Sequence, residues 1–170
     1  MDSAVLLTFD ELRELVDPVR RNSPITEDLS LAAVIPPHMT VASPACPDPL
    51  GAAAGKRLRD CMAGLGQFSL RFSRVNTFPE GTVYLAPEPS PDLDRLVTRV
   101  AEGFAEFGGV RADHVWHLSI ARRGGEQLAA RFRASFLPVS VSVTSVSIWV
   151  QDAPQTRWSL CHEFGLAETV

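Results

Sequence analysis

Pro36-Pro37-His38-Met39-Thr40-Val41-Ala42 and His117-Leu118-Ser119-Ile120-Ala121 carry one pattern twice: a histidine, an apolar residue, a hydroxyl and a second apolar residue. On a β-strand successive side chains alternate between faces, so His38 and Thr40 share one face while Met39 and Val41 share the other. His117 and Ser119 stand in the same relation to Leu118 and Ile120. At roughly 3.3 Å per residue, each hydroxyl lies about 6.6 Å along the strand from its imidazole. Two such strands, side by side, place an imidazole and a hydroxyl on either side of a phosphate.

Working outward, Ala4–Phe9 reads as a buried strand, followed by a helix with Leu12, Leu15, Val16 and Val19 at helical spacing. The run from Leu29 to Ile35 is apolar and fits either element. Pro36-Pro37 then forces extended backbone into the first motif. A helix is expected over about Gly51–Met62, broken by Gly64 and Gly66. Phe68, Leu70 and Phe72 alternate with polar residues in a half-exposed strand, continued by Val75–Phe78. A turn at Glu80-Gly81 returns Thr82–Ala86 as the hairpin partner.

The second half repeats the order. A helix over about Asp92–Phe107 carries Leu93, Leu96, Val97, Val100 and Phe104 on one side and stops at Gly108-Gly109. His114–Ala121 is the second motif strand, and a helix follows with Leu128, Phe132 and Phe136 four apart. Val139–Trp149 reads as one long strand with a bulge where the apolar register shifts at Ser145–Ile148. After a turn at Gln151–Gln155, Trp158–Phe164 closes the sheet. The expected fold is α+β and bilobal: residues 1–170 as a single domain of two similar lobes related by an approximate two-fold axis. Two mostly antiparallel sheets would form a central cleft with helices outside.

A length of 170 residues suffices for a real core. A formal net charge of -4 weighs against a protein that grips long duplex nucleic acid by backbone charge, yet leaves room for a small phosphate ester or an RNA end. No apolar stretch approaches the length of a membrane span, and the opening residues lack the basic start and long apolar core of a signal peptide. Cys46, Cys61 and Cys161 fit no disulfide framework and read as reduced thiols, so a cytoplasmic location is expected, with the chain a monomer.

Imidazoles exchange protons near neutrality, so one can activate water while the other protonates the leaving oxygen of a phosphodiester. Thr40 and Ser119 can donate hydrogen bonds to the non-bridging oxygens, and an arginine can clamp them. Arg122 follows the second motif directly. The scheme needs neither metal nor cofactor, and no carboxylate-rich cluster in the sequence suggests a metal site.

The stretches Pro36–Val41 and Trp116-His117-Leu118-Ser119-Ile120-Ala121-Arg122 resemble the two-histidine (2H) phosphoesterase superfamily, in its bacterial 2′-5′ RNA ligase-like branch. The likeness extends to Phe78–Leu85 and to the closing Phe164-Gly165-Leu166. It implies a bilobal fold and metal-independent cleavage of phosphodiesters, typically 2′,3′-cyclic phosphates of nucleotides or RNA termini. It puts the catalytic histidines at His38 and His117, the paired hydroxyls at Thr40 and Ser119, and a phosphate-contacting arginine at Arg122. Trp116 departs from the proline that many relatives carry there. For opening a cyclic phosphate the expected roles are His117 as base and His38 as acid.

Tyr84, Trp116, Trp149 and Trp158 are aromatic candidates for stacking on a base, the first three being preferred. Arg20 and Arg21 read as helix-end residues in solvent. His114 and His117, three apart on a strand, would face opposite sides and bind no metal together. Cys161-His162 reads as a core thiol beside a surface imidazole. Three further readings stay open: the same chemistry on another small cyclic phosphate, action at an RNA 3′ end including reversible 2′-5′ ligation, and a module that holds a phosphate end without turnover.

Overall fold

The apolar runs become strands β1 (Asp2–Thr8), β2 (His38–Ala42), β3 (Phe68–Thr77), β4 (Val83–Pro87), β5 (Leu118–Ala121), β6 (Val139–Val143), β7 (Ser145–Gln151) and β8 (Ser159–Gly165). The helices are α1 (Arg13–Arg21), α2 (Ala52–Met62), α3 (Pro91–Gly103) and α4 (Gly125–Ser135). The computed structural model describes residues 2–21, 35–43, 48–107, 110, 114–122, 124–152 and 158–168. The run at 29–34, Gly108-Gly109 and most of the turn after Gln151 lie outside them. Local chemistry accounts for the ends of α3. Pro91 opens it with a preset φ, the Ser90 hydroxyl accepts a hydrogen bond from Leu93 N at 3.3 Å, and Asp92 and Asp94 sit in its positive first turn. No helix among the described residues is long and apolar enough to cross a membrane.

The expectation of two sheets is corrected. All eight strands form one antiparallel sheet in the order β6-β3-β4-β5-β2-β1-β7-β8. The join that unites them is made by the two motif strands: β2 pairs with β5, Met39 opposite Leu118. What the repeated order suggests as a boundary between sheets is therefore a hydrogen-bonded seam, one residue pair long. The motif strands do lie side by side, as expected, but inside a continuous sheet.

The sheet is also rolled. β6 stands first in the order and β7 seventh, yet Thr144 alone separates them in the chain. Six steps across a flat sheet cover about 29 Å. Two Cα–Cα steps cover at most about 7.6 Å. The two ends of the sheet must therefore approach each other at this corner, and the contacts agree. Leu166 N donates to Thr144 O at 2.8 Å, Gln67 N to Ala167 O at 2.8 Å, and Ser142 N on edge strand β6 to the Glu11 carboxylate just past β1 at 3.2 Å. The single long strand expected over Val139–Trp149 is thus two strands at opposite ends of the sheet. Val143 and Val146 both face the core, and that break in parity marks a corner rather than a bulge.

Cross-strand partners share a face, so the register sorts the side chains. Val5, Leu7, Met39, Val41, Leu85, Leu118 and Ile120 form one buried face and pack with Leu58 of α2, Leu96 of α3 and Ala129 of α4 in the main core. The opposite face carries His38 opposite Thr8, Thr40 opposite Leu6, and Ser119 opposite Tyr84, itself opposite Asn76. Burying the apolar face at about 25 cal/mol per Å² fixes which face is left to the polar residues. A one-residue slip of either motif strand would invert both.

Candidate active site

Each histidine is held by the same short loop of bonding. His38 Nδ1 lies 3.0 Å from Pro36 O and His117 Nδ1 lies 2.7 Å from Val115 O. A carbonyl can only accept, so in both rings Nδ1 carries a proton and Nε2 is the nitrogen left to work: it accepts a proton when the ring is neutral and donates one when the ring is charged. On the first motif Pro36-Pro37 fixes the backbone that offers this carbonyl, and Pro37 O in turn accepts from Phe9 N at 2.7 Å. The Thr40 and Ser119 side chains, both half-buried, have no hydrogen-bond partner among the described residues, which leaves the hydroxyls for a ligand.

The surroundings of the two rings differ. Burial, above all, pushes the His38 pKa down from 6.5 to about 4. Its hydrogen bond to Pro36 O opposes that shift, while the charges of Arg20, His117 and Arg122 reinforce it. His117 instead stands among rings. Phe78 meets it edge-on at 4.9 Å and Tyr84 at 5.6 Å between centroids, and Phe78 and Tyr84 stack on each other at 4.2 Å. This aromatic wall fixes the orientation of an imidazole that no strand pairing holds, since β5 begins only at Leu118.

That late start corrects the reading of His114. Residues 114–117 are not strand, the alternation that would send His114 and His117 to opposite faces does not apply, and their rings lie 5.9 Å apart. His114 also lies against Trp116 at 4.4 Å. Among the described residues no group of three or more histidines, cysteines or acids is arranged to hold a metal.

Arg20, read from sequence as solvated, is instead largely buried beside the second motif. Leu12, Val16 and Arg20 follow one another at i, i+4 and i+8, so the arginine continues the buried stripe of the helix. Its side chain is 12% exposed, and Nη2 donates to Ser119 O at 3.1 Å while Nη1 lies 3.8 Å from Asp17 Oδ1. The guanidinium thus occupies the place where β2 and β5 part beyond their single pair. A hydrogen bond from a charged donor to such a carbonyl contributes about 1.5–3 kcal/mol. The signal was in the sequence, as a cation on an apolar stripe.

Arg122 is exposed just past β5 and close enough to act on His38. Its neighbour Arg123 and the side chain of Arg21 lie outside the described residues. Tyr84 is buried except for 7% of its surface. Trp116 is half-buried. Trp149 is on the motif face but packed with Ala4, Leu6, Ile35 and the half-buried Trp158, its Nε1 donating to Ser147 Oγ at 2.9 Å. Cys161 is half-exposed rather than core. The His162 ring lies under α2, where a Cβ on Gly55 would come within 2.7 Å of its Nδ1. Burial pushes the Cys61 and Cys161 thiols up, the reverse of what a nucleophile needs.

Solved structures share this fold. TT0787 from Thermus thermophilus superposes with a TM-score of 0.69 at 15% identity, covering 99% of both chains. Escherichia coli LigT complexed with 3′-AMP gives 0.63 at 16% identity over 98% of both. A structure described as a phosphoesterase gives 0.64 at 17% identity over 98% of this chain and 99% of that one. No curated protein matches the chain by sequence. The model of the 2′-5′ RNA ligase superfamily matches residues 8–155. Family model, fold and paired motifs agree, and the chain belongs to the two-histidine phosphoesterase, 2′-5′ RNA ligase-like superfamily.

Proposed function

We propose that the protein is a phosphodiesterase that hydrolyses 2′,3′-cyclic phosphates of nucleotides or RNA termini, without a metal, by general acid–base catalysis between His38 and His117. The observation that carries this reading is the pair of imidazoles on one sheet face, each with Nδ1 tied to a carbonyl two residues back. Arg20 and Arg122 are near enough to act on the first of them. E. coli LigT, of the same fold, has been crystallised with 3′-AMP and with phosphate, which supports a phosphate ligand of nucleotide type.

The lowered pKa of His38 supports the opposite division of roles from the one expected from sequence. With its pKa near 4, His38 is neutral at pH 7 and its Nε2 is ready to take a proton from water. His117, entering the reaction protonated on both ring nitrogens, gives its Nε2 proton to the departing ribose oxygen and keeps the one on Nδ1. Water's oxygen bonds to phosphorus, the ring P–O bond breaks, and the monoester leaves with one proton moved from each side. Thr40 and Ser119 donate to the non-bridging oxygens, with Arg122 opposing the charge that builds there. Arg20 assists as a positioning residue through Ser119. Of the stacking candidates, Tyr84 meets the His117 ring and Trp116 precedes it in the chain, whereas Trp149 would need Ile35 and Trp158 to move before it could stack on a base.

Phosphorus NMR on a mixture of the four 2′,3′-cyclic mononucleotides, with chelator present, tests this. Wild type is expected to yield one monoester isomer, with His38→Ala and His117→Ala each slowed by about 10²–10⁴-fold. No turnover by wild type on these esters or on a cyclic-phosphate-ended oligoribonucleotide would overturn the reading.

A further inference from the structure

Beside the His117 wall lies a groove of about 280 Å³ whose lining includes Arg74, Asn76, Tyr84, Asp94, Val115 and Trp116. It adjoins the site through shared residues. Val115 supplies the carbonyl that holds His117 Nδ1, and Tyr84 lines the groove while its ring packs against that imidazole. Arg74 and Asn76 come from the β3 positions opposite Ala86 and Tyr84, on the motif face. Asp94 projects from the first turn of α3.

The charges decide what fits. Among the described residues the Arg74 guanidinium, the Asp94 carboxylate and the Asn76 amide have no side-chain partner. The other acid in the lining, Glu88, is 3.3 Å from Arg71. A groove lined by both a cation and a carboxylate is a poor seat for a second phosphate, because the carboxylate repels it. It is a good seat for a flat, neutral group with donors on one edge and acceptors on another. Apolar walls at Trp116 and Ala86 suit the faces of such a ring.

Resting on the phosphodiesterase reading, we propose that this groove is the subsite for the base of the substrate and that it selects guanine, with Asp94 accepting from the N1–H and 2-amino group and Arg74 donating to O6 and N7. Guanine alone among the four bases sets two adjacent donors on one edge and two acceptors on the next. Adenine turns an acceptor, N1, toward the carboxylate. A pyrimidine lacks N7 and has no adjacent pair of donors to set against the carboxylate. An arginine paired with O6 and N7 is geometrically favourable for the same reason that it reads guanine elsewhere.

Two measurements keep the subsite and the activity separable. Guanosine and uridine 2′,3′-cyclic phosphates are compared as substrates, and guanosine and uridine 3′-monophosphates as ligands by calorimetry. Wild type should favour guanosine about tenfold in KM and in Kd, and Asp94→Ala and Arg74→Ala should each shrink that ratio severalfold. A merely structural role would move both nucleotides together and leave the ratio alone. Guanosine-selective binding without turnover of either ester, or of a cyclic-phosphate-ended oligoribonucleotide, would sink the phosphodiesterase reading and keep the subsite. Equal affinity for the two nucleotides, a ratio untouched by both substitutions, or no binding of either would overturn the subsite.

Discussion

The β2 and β5 motifs share a pattern and differ in everything around it. His38 stands on a strand, behind two prolines, half-buried, where desolvation and the nearby charges of Arg20, His117 and Arg122 hold its pKa down. His117 precedes its strand and is held by Phe78, Tyr84 and the Val115 carbonyl. Identical residues can therefore take opposite parts in one reaction, because protonation is set by burial and neighbours rather than by the motif. A duplicated pair is no guarantee of duplicated roles.

The sharpest way to break this comparison is to change the leaving group. On a 4-nitrophenyl phosphodiester the departing oxygen needs no proton. His38→Ala is expected to lose about 10³-fold or more in kcat/KM on both this ester and a cyclic nucleotide, whereas His117→Ala should recover to within about tenfold of wild type on the activated ester alone. Equal losses for the two variants on both esters would mean that the roles are not divided as proposed.

A stability measurement comes next. The folded protein holds the His38 pKa near 4, below the ordinary 6.5, so between those values the unfolded chain binds the extra proton. Stability should be level in this respect above about pH 6.5, fall as the pH drops toward 4, and level again below it. The loss is at most about 3 kcal/mol. Urea unfolding across pH 4–7 should show a shallower decline for His38→Gln than for wild type; parallel curves would mean that the imidazole is not strained by burial.

The smallest expected effect belongs to Arg20. The acid limb of kcat/KM should fall near pH 4 in wild type. In Arg20→Gln it should move upward, because one of the charges opposing protonation of His38 is gone. A pH–rate profile of the two proteins would show a severalfold difference at pH 4.5. An unmoved limb would separate Arg20 from His38 and leave it a role through Ser119 and Asp17.

Much of this was legible from local pattern. Alternation placed Thr40 with His38 and Ser119 on the face away from Leu118 and Ile120, and the Phe68–Ala86 hairpin follows from its turn, where Gly81 adopts φ 95°. What escaped was non-local. Nothing in Val139–Trp149 announces that Thr144 joins opposite ends of a sheet; no glycine or proline marks it, and only the parity break between Val143 and Val146 hints at a change of partner. Whether two lobes share one sheet depends on the bond between Met39 and Leu118, which is a fact of register and not of composition. His114 was misplaced because a strand was extended four residues too far toward its start. Arg20 was misread because paired arginines at a helix end look like solvent residues until the stripe beneath them is traced.

The corner at Thr144 also sets the order in which the molecule can be assembled during synthesis. β1 takes its β7 partner from residues 147–151, and β3 takes its β6 partner from residues 139–143. At about 5–20 residues per second, the ribosome delivers both partners many seconds after the strands that await them. Until then β1 and β3 each present an open edge, of the kind that invites pairing with other chains. Completion of the sheet, and with it of the face that carries both histidines, waits for the last third of the chain to emerge.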